Sequence, residues 1–161
     1  DDVLLCEPSE VSEAVSLGAG VIVHPTAVIR TSKQGAKIKI GAGCIVEERC
    51  RIEAEDSMTI GEGNLFQVGC HIQAKRIGDH NVFGAKSCLA RGSSVGSGCT
   101  VGPTVTVLPD ASIQDGSVVV RCEGRHIMGR AASGAQHVHK TNMKMYRSSV
   151  RDPAGKSFLG R

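Results

Sequence analysis

The chain has 161 residues and a formal net charge of +3, and 40% of its residues are hydrophobic although it contains no Trp. This length suits one ordinary domain with a core of aliphatic side chains. Lys and Arg are scattered, and no apolar run approaches the ~18 residues that span a bilayer, which argues against nucleic-acid binding and membrane insertion. The opening stretch DDVLLCEPSE has neither region of a secretory signal, so we expect a cytoplasmic protein.

Large apolar residues recur every six positions along most of the chain. The pattern begins weakly at Leu5 and Val11, and four residues after each large residue comes a smaller one that strand alternation turns to the same side. This period is typical of a parallel β-helix in which each hexapeptide forms one face of a three-sided coil. The large residues are Leu, Ile, Val or Phe at 17, 23, 29, 40, 46, 52, 60, 66, 72, 77, 83, 89, 95, 101, 107, 113 and 119.

Grouping the hexapeptides in threes gives about six coils, which start at residues 17, 40, 60, 77, 95 and 113. Intervals longer than eighteen residues predict loops at the corners after Ile29 and Ile52, and the shorter interval predicts a tightened corner after Ile72. The same register predicts that Phe66 lies beside Phe83 in the next coil.

Glycine follows the large residue directly or three positions later at 14 of its 20 occurrences. Because glycine adopts positive φ without a Cβ clash, we expect the chain to bend sharply at both positions. Asn64 and Asn81 fall one above the other at a corner, and asparagine suits a turn since it tolerates left-handed backbone.

The seven cysteines include no CxxC pair. Cys44, Cys50, Cys70 and Cys99 occupy the small inward position of the repeat, so we interpret them as reduced core residues.

The repeat stops after Val120, which divides the chain into a β-helix over residues 1–124 and a helix or tail over residues 125–161. Gln136 to Tyr146 could form a short helix with Val138, Met143 and Met145 partly buried. Since the open end of a β-helix is an exposed sheet edge, we expect this segment to cap it.

Two enzyme classes with hexapeptide β-helices, acyltransferases and γ-carbonic anhydrases, depend on histidine. No two of His24, His71 and His80 share a column of the repeat, and His137 and His139 are too close in sequence to face the same way on a helix. The sequence therefore predicts solvent-facing histidines, no metal site and no cofactor. The alternative is an enzyme, either an acyltransferase with His71 or His80 as general base or a protein like the γ-carbonic anhydrases.

The most distinctive segment of the chain is residues 60 to 92, IGEGNLFQVGCHIQAKRIGDHNVFGAKSCLARG. An IG-x-x-N-x-F-x-VGC segment followed by a GD-x-NV coil resembles the dynactin subunit 6 family, small β-helix proteins at the pointed end of the dynactin complex. The similarity extends less strictly over most of residues 15 to 120.

This resemblance implies a left-handed β-helix without catalytic activity, working as a structural subunit in dynein-driven cargo transport on microtubules. It also implies a hetero-oligomer with dynactin subunit 5 and other pointed-end subunits, the actin-related proteins. The candidate contact elements are a corner loop and the tail, and their candidate residues are Thr31, Lys33, Gln34, Lys37, Lys39, Arg125, His126, Lys140, Lys144 and Tyr146.

Overall fold

The computed structural model describes residues 2–132 and 135–150, apart from the side chains of residues 136, 137 and 147–150. The chain winds through nineteen short parallel strands, β1 to β19, which form three sheets around a common core. A final strand, β20, is antiparallel to β19, and a helix, α1, follows. Their bounds are β1 Leu4–Leu5, β2 Glu10–Val11, β3 Val15–Leu17, β4 Ile22–Val23, β5 Val28–Thr31, β6 Ile38–Ile40, β7 Ile45–Val46, β8 Arg51–Ala54, β9 Met58–Ile60, β10 Leu65–Phe66, β11 His71–Ile72, β12 Arg76–Ile77, β13 Val82–Phe83, β14 Cys88–Leu89, β15 Ser94–Val95, β16 Thr100–Val101, β17 Thr106–Val107, β18 Ser112–Ile113, β19 Ser117–Cys122, β20 Arg125–Arg130 and α1 Ala135–Val150.

The three sheets are the faces of a prism, and every third strand belongs to the same face. Face I contains β3, β6, β9, β12, β15 and β18; face II contains β1, β4, β7, β10, β13, β16, β19 and β20; and face III contains β2, β5, β8, β11, β14 and β17. The predicted coil starts at 17, 40, 60, 77, 95 and 113 are successive partners along face I, which confirms the predicted register and six coils. The large residues of the repeat point inward and fill one continuous core.

Glycine serves the coil in two ways, of which the sequence predicted one. The glycines three positions after the large residue have positive φ, as at Gly63 (φ 61°), so the predicted bend is confirmed there. The prediction of a bend is wrong for the glycines directly after the large residue. At Gly41, a Cβ would lie 2.5 Å from the carbonyl carbon of Gly61, so glycine is required because two coils approach closely.

Asn64 and Asn81 are neighbours in successive coils, as predicted, but neither has left-handed backbone. Both side chains are buried inside the prism, and the left-handed residues are the preceding Gly63 and His80. The backbone N and the Nδ2 of Asn81 donate to Oδ1 of Asn64 at 2.9 and 3.0 Å, while Nδ2 of Asn64 donates to the Gly78 carbonyl at 2.9 Å. Each amide is therefore satisfied by the adjoining coil, which offsets the cost of burying it.

The four inward cysteines are buried at 1% exposure or less, which confirms that they belong to the core. Each Sγ lies near a backbone carbonyl of the next coil, as Cys44 does with Gly61 at 3.1 Å. All seven cysteines are free thiols, and burial raises the pKa of Cys99. The four inward cysteines act as small apolar residues with weak hydrogen-bond donors.

The two predicted corner loops are present, and each lengthens the strands beside it. β5 and β8 continue past the large residue, so that Arg30 pairs with Glu53 and Thr31 with Ala54. Ala54 and Met58 are buried at 4% and 2% exposure. The extra residues therefore add a small extension to the core between faces I and III instead of a simple surface loop.

The repeat pattern does not reveal β20. Glu123 and Gly124, both with positive φ, form a two-residue turn that reverses the chain, and β20 then pairs along all of β19. Face II consequently extends one strand beyond the last strand of face I and two beyond the last strand of face III. The division of the chain at residue 124 remains a prediction, but it separates two strands of one hairpin.

The helix α1 does not cap an end of the prism, contrary to the prediction. His139, Met143 and Tyr146, spaced by four and three residues, face the outer side of face II. Met143 is 7% exposed, which confirms its predicted burial. Val138 and Met145 are 58% and 64% exposed, so their predicted burial is wrong because helical periodicity turns them away from the docked face.

Phe66 and Phe83 stack with ring centroids 4.9 Å apart and planes tilted by 7°, and both are fully buried. We predict that Phe83→Ala lowers the free energy of unfolding by about 3 to 5 kcal/mol, because it removes one ring and leaves a cavity against the other. Denaturant unfolding measures the loss. Leu108→Ala, at a side chain that is 64% exposed, should change it by less than about 0.5 kcal/mol; equal losses in the two variants would contradict the inward assignment.

Candidate partner-binding surfaces

The predicted corner contact residues lie along one edge of the prism, between faces III and I. Lys33, Gln34, Lys37 and Lys39 are exposed, and Thr31 is half-buried at the end of β5. Their charges are partly neutralised within the chain, since Lys33 Nζ lies 3.1 Å from Asp56 Oδ1. The structure thus brings these five residues together on one accessible corner.

A charged network below this corner is centred on Glu53. Its carboxylate accepts hydrogen bonds from Arg30 (Nε, 2.9 Å), Arg51 (Nη2, 2.9 Å) and His71 (Nε2, 3.0 Å). The hydrogen bond from Arg51, supported by those from Arg30 and His71, lowers the pKa of Glu53 to about 2. Because these partners belong to three successive coils, the network ties the corner to the outer side of face III.

A cleft of about 170 Å³ lies beside this network, under the loop at residues 55–57. Glu55 and Asp56 line one wall, and Lys75 and Arg91 line the other. Arg91 and Glu55 form an ion pair across it. Because Glu55 pairs with Arg91 and Asp56 pairs with Lys33, this cleft is better suited to holding the corner loop than to binding a charged small molecule.

The predicted tail contacts do not form one surface. Arg125 and His126 are exposed on β20, whereas Lys140 and Lys144 are exposed on α1. Tyr146 is half-buried and its hydroxyl lies 2.9 Å from Nε2 of His24. The structure therefore uses Tyr146 to hold the helix against the prism.

His24 is the polar residue that fastens α1. It is 5% exposed, so the prediction of a solvent-facing side chain is wrong. Its Nδ1 lies 3.0 Å from Oε1 of Glu48; with the proton on Nδ1 donated to that carboxylate, Nε2 accepts from the Tyr146 hydroxyl. Burial raises the pKa of Tyr146 to about 12, so this hydroxyl keeps its proton at neutral pH.

The apolar part of the helix contact was missed, although the sequence contains its signal. Met143 packs on residues that precede the large residue of the repeat and point outward. In most hexapeptides this position is polar, but on face II it is aliphatic in five successive strands, from β1 to β13, before Thr100 in β16. The outward column runs through Leu4, Ile22, Ile45, Leu65 and Val82.

Of the two histidines proposed as general base, one has a side-chain hydrogen bond and the other lies in a turn. His71 donates to Glu53, and His80 holds a left-handed turn (φ 55°). His139 Nε2 donates to the Gly63 carbonyl at 2.8 Å, next to that turn. Within residues 2–132 and 135–150, no three His, Cys, Asp or Glu side chains form a group that could hold a metal ion.

No protein-family model matches the chain. It is 34% identical over 136 residues to dynactin subunit 6 of Xenopus tropicalis, which covers 73% of this chain and 67% of that protein. It is also 28% identical over 152 residues to dynactin subunit 6 of Dictyostelium discoideum, which covers 91% and 80% of the two chains.

The fold is shared with a crystallised hexapeptide transferase family protein from Anaplasma phagocytophilum. The TM-score is 0.73 at 12% identity, and the match covers 91% of this chain and 90% of that one. The chain is therefore a left-handed parallel β-helix of the hexapeptide-repeat class. The sequence also assigns the family within that class: the chain belongs to the dynactin subunit 6 family. In the part of the chain that the structure describes, no helix is long and apolar enough to cross a membrane.

We predict that the Glu53 network makes stability fall with acidification. The folded state lowers the pKa of Glu53 from 4.5 to about 2. The contribution of Glu53 to the free energy of unfolding is therefore present above about pH 4.5 and is lost as the pH falls towards 2. Denaturant unfolding at several pH values should show a shallower fall for Glu53→Gln than for the unaltered protein. Glu13→Gln, at an exposed carboxylate, should keep the original slope; parallel curves for all three proteins would contradict the prediction.

We predict that Met143→Ala releases α1 without unfolding the prism, since Met143 belongs to a cluster outside the main core. A loss of about 2 kcal/mol would speed amide hydrogen exchange in the helix by roughly 30-fold. Val138→Ala, at a 58% exposed position of the same helix, should leave that exchange nearly unchanged. Equal protection of α1 in both variants would show that Met143 does not hold the helix.

Proposed function

We propose that this protein is a non-catalytic structural subunit of the dynactin pointed-end complex. The observation that carries the proposal is its 34% identity to dynactin subunit 6 over most of both chains. The interior supports it, because aliphatic side chains, cysteines and the Asn64 and Asn81 amides fill the prism. Binding would then use the outer faces, corners and strand edges.

In this role the protein acts in the cytoplasm, on the cytoskeleton. It would pair with dynactin subunit 5 in a hetero-oligomer near the actin-related proteins, and so support dynein-driven cargo transport on microtubules. These partners follow from the family, and the rigid stack of coils is suited to such a role because it offers flat faces and preformed sheet edges.

The proposed contacts remain the corner (Thr31, Lys33, Gln34, Lys37 and Lys39) and the tail residues Arg125, His126, Lys140, Lys144 and Tyr146. The corner is supported by its exposure and by the Glu53 network, which would limit the conformational entropy lost on binding. Among the tail residues, Lys140 and Lys144 are accessible, whereas Tyr146 would contribute by keeping the helix in place.

The alternative is a hexapeptide-repeat enzyme, either an acyltransferase or a γ-carbonic anhydrase. A general base needs a ring nitrogen that can reach a substrate proton. The Nε2 of His71 is already hydrogen-bonded to Glu53. His24, His71 and His80 also occupy different corners and faces, so these contacts favour the structural role.

Affinity purification of the tagged protein from cell extract, followed by mass spectrometry, tests the proposal. We predict recovery of dynactin subunit 5 and actin-related proteins, and at least a severalfold lower recovery for a variant with Lys33→Glu, Lys37→Glu and Lys39→Glu if the corner is the main contact. Lys86→Glu, at an exposed corner between faces II and III, is a matched control.

The folded state of each variant is checked by thermal unfolding, so that lost binding is not confused with lost structure. Recovery of no dynactin subunit by the folded, unaltered protein would overturn the proposal. Stoichiometric zinc in the purified protein, or turnover of an acyl-coenzyme A, would favour the enzyme instead.

A further inference from the structure

The hairpin β19–β20 ends face II with a strand that is accessible along its whole length. All six residues of β20, Arg125–Arg130, are exposed, and among the described residues β19 is its only strand partner. Unpaired backbone groups at such an edge can bind another extended chain.

The hydrogen-bond pattern identifies which residues of β20 face this edge. Ala131 N donates to the Gly116 carbonyl, and pairs in an antiparallel ladder alternate between bonded and non-bonded. Val118 therefore exchanges backbone hydrogen bonds with Gly129, and Val120 exchanges them with Ile127. The N–H and C=O groups of His126, Met128 and Arg130 consequently point away from β19.

The side chains at this edge combine positive charge with apolar surface. Ile127 and Met128 are 51% and 61% exposed in the middle of the strand. Arg125 and Arg130 lie at its two ends, and the ion pairs of the described residues involve neither of them. An extended ligand would thus meet cations on both sides of an apolar centre.

We propose that the free edge of β20 binds an extended segment of another protein whose acidic residues flank an aliphatic centre. In antiparallel pairing, acidic side chains would lie opposite Arg130 and His126, and an aliphatic one opposite Met128. A core of the form acid–aliphatic–aliphatic–aliphatic–acid fits this edge. The inference does not rest on the dynactin role, since it uses only the hairpin.

A second copy of this chain fits the edge less well. His126, Met128 and Arg130 of the two copies would have to pair about a two-fold axis at Met128. Arg130 of each copy would then lie opposite His126 of the other. The arginines of the two edges would then lie near one another without an acidic partner, which an acidic ligand would supply. A nucleic acid could use the arginines, but it would leave the backbone groups and the Ile127–Met128 pair without partners.

Binding of a labelled synthetic peptide with the core EVLIE, measured by fluorescence anisotropy on the full-length protein, tests the proposal. We expect binding with amide shifts at His126, Met128 and Arg130 in NMR spectra, and at least about tenfold weaker binding of the matched peptide KVLIK. Arg130→Glu should weaken EVLIE about tenfold, whereas Lys86→Glu, the same charge change at the exposed corner between faces II and III, should not.

Met128→Pro removes one of the outward N–H groups and leaves the bonds to β19 in place, because proline is tolerated where the N–H of an edge strand faces solvent. This variant should bind EVLIE about tenfold more weakly. Slow amide exchange at Val118 and Val120 should show that the hairpin persists. Equal binding of EVLIE and KVLIK would overturn the proposal, as would unchanged EVLIE binding by both Arg130→Glu and Met128→Pro. So would displacement of the peptide by a single-stranded oligonucleotide that binds more tightly.

Discussion

The structure depends on the vertical register between coils, in which each residue lies directly above its counterpart in the coil before. Parallel hydrogen bonds impose this register, and the spacing of about 4.8 Å leaves little room for variation. The close approach at Gly41, the amide contacts between Asn64 and Asn81 and the stacked rings of Phe66 and Phe83 are consequences of it. A residue type is thus chosen by its column as much as by its own position.

This register explains which features could be predicted from the sequence. Inward residues repeat every six positions, so the coil starts, the buried cysteines and the pairing of Phe66 with Phe83 followed from counting. Column membership also predicted that Asn64 and Asn81 would meet. Their role was misjudged because the pattern does not distinguish a buried amide that bonds to the next coil from one that supports a left-handed turn.

The remaining features arise where the repeat ends or where its outer side is covered. The hairpin turn at Glu123 and Gly124 has only two residues, and β20 does not continue the six-residue repeat. The repeat pattern therefore gave no sign of this strand. The docked face of α1 could not be chosen from the helix alone, because His139 and Tyr146 are polar residues that become buried through His24 and Gly63. The outward aliphatic column on face II does predict that something covers it, but not which segment.

The filled interior shifts recognition to the outside of the prism, and there the three faces are unequal. Face II carries the helix and ends with β20, one strand beyond the last strand of face I and two beyond that of face III. An ideal three-sided prism would accept an end-on partner in any of three rotations. The projecting hairpin makes these rotations inequivalent, because β20 extends only one of the three faces.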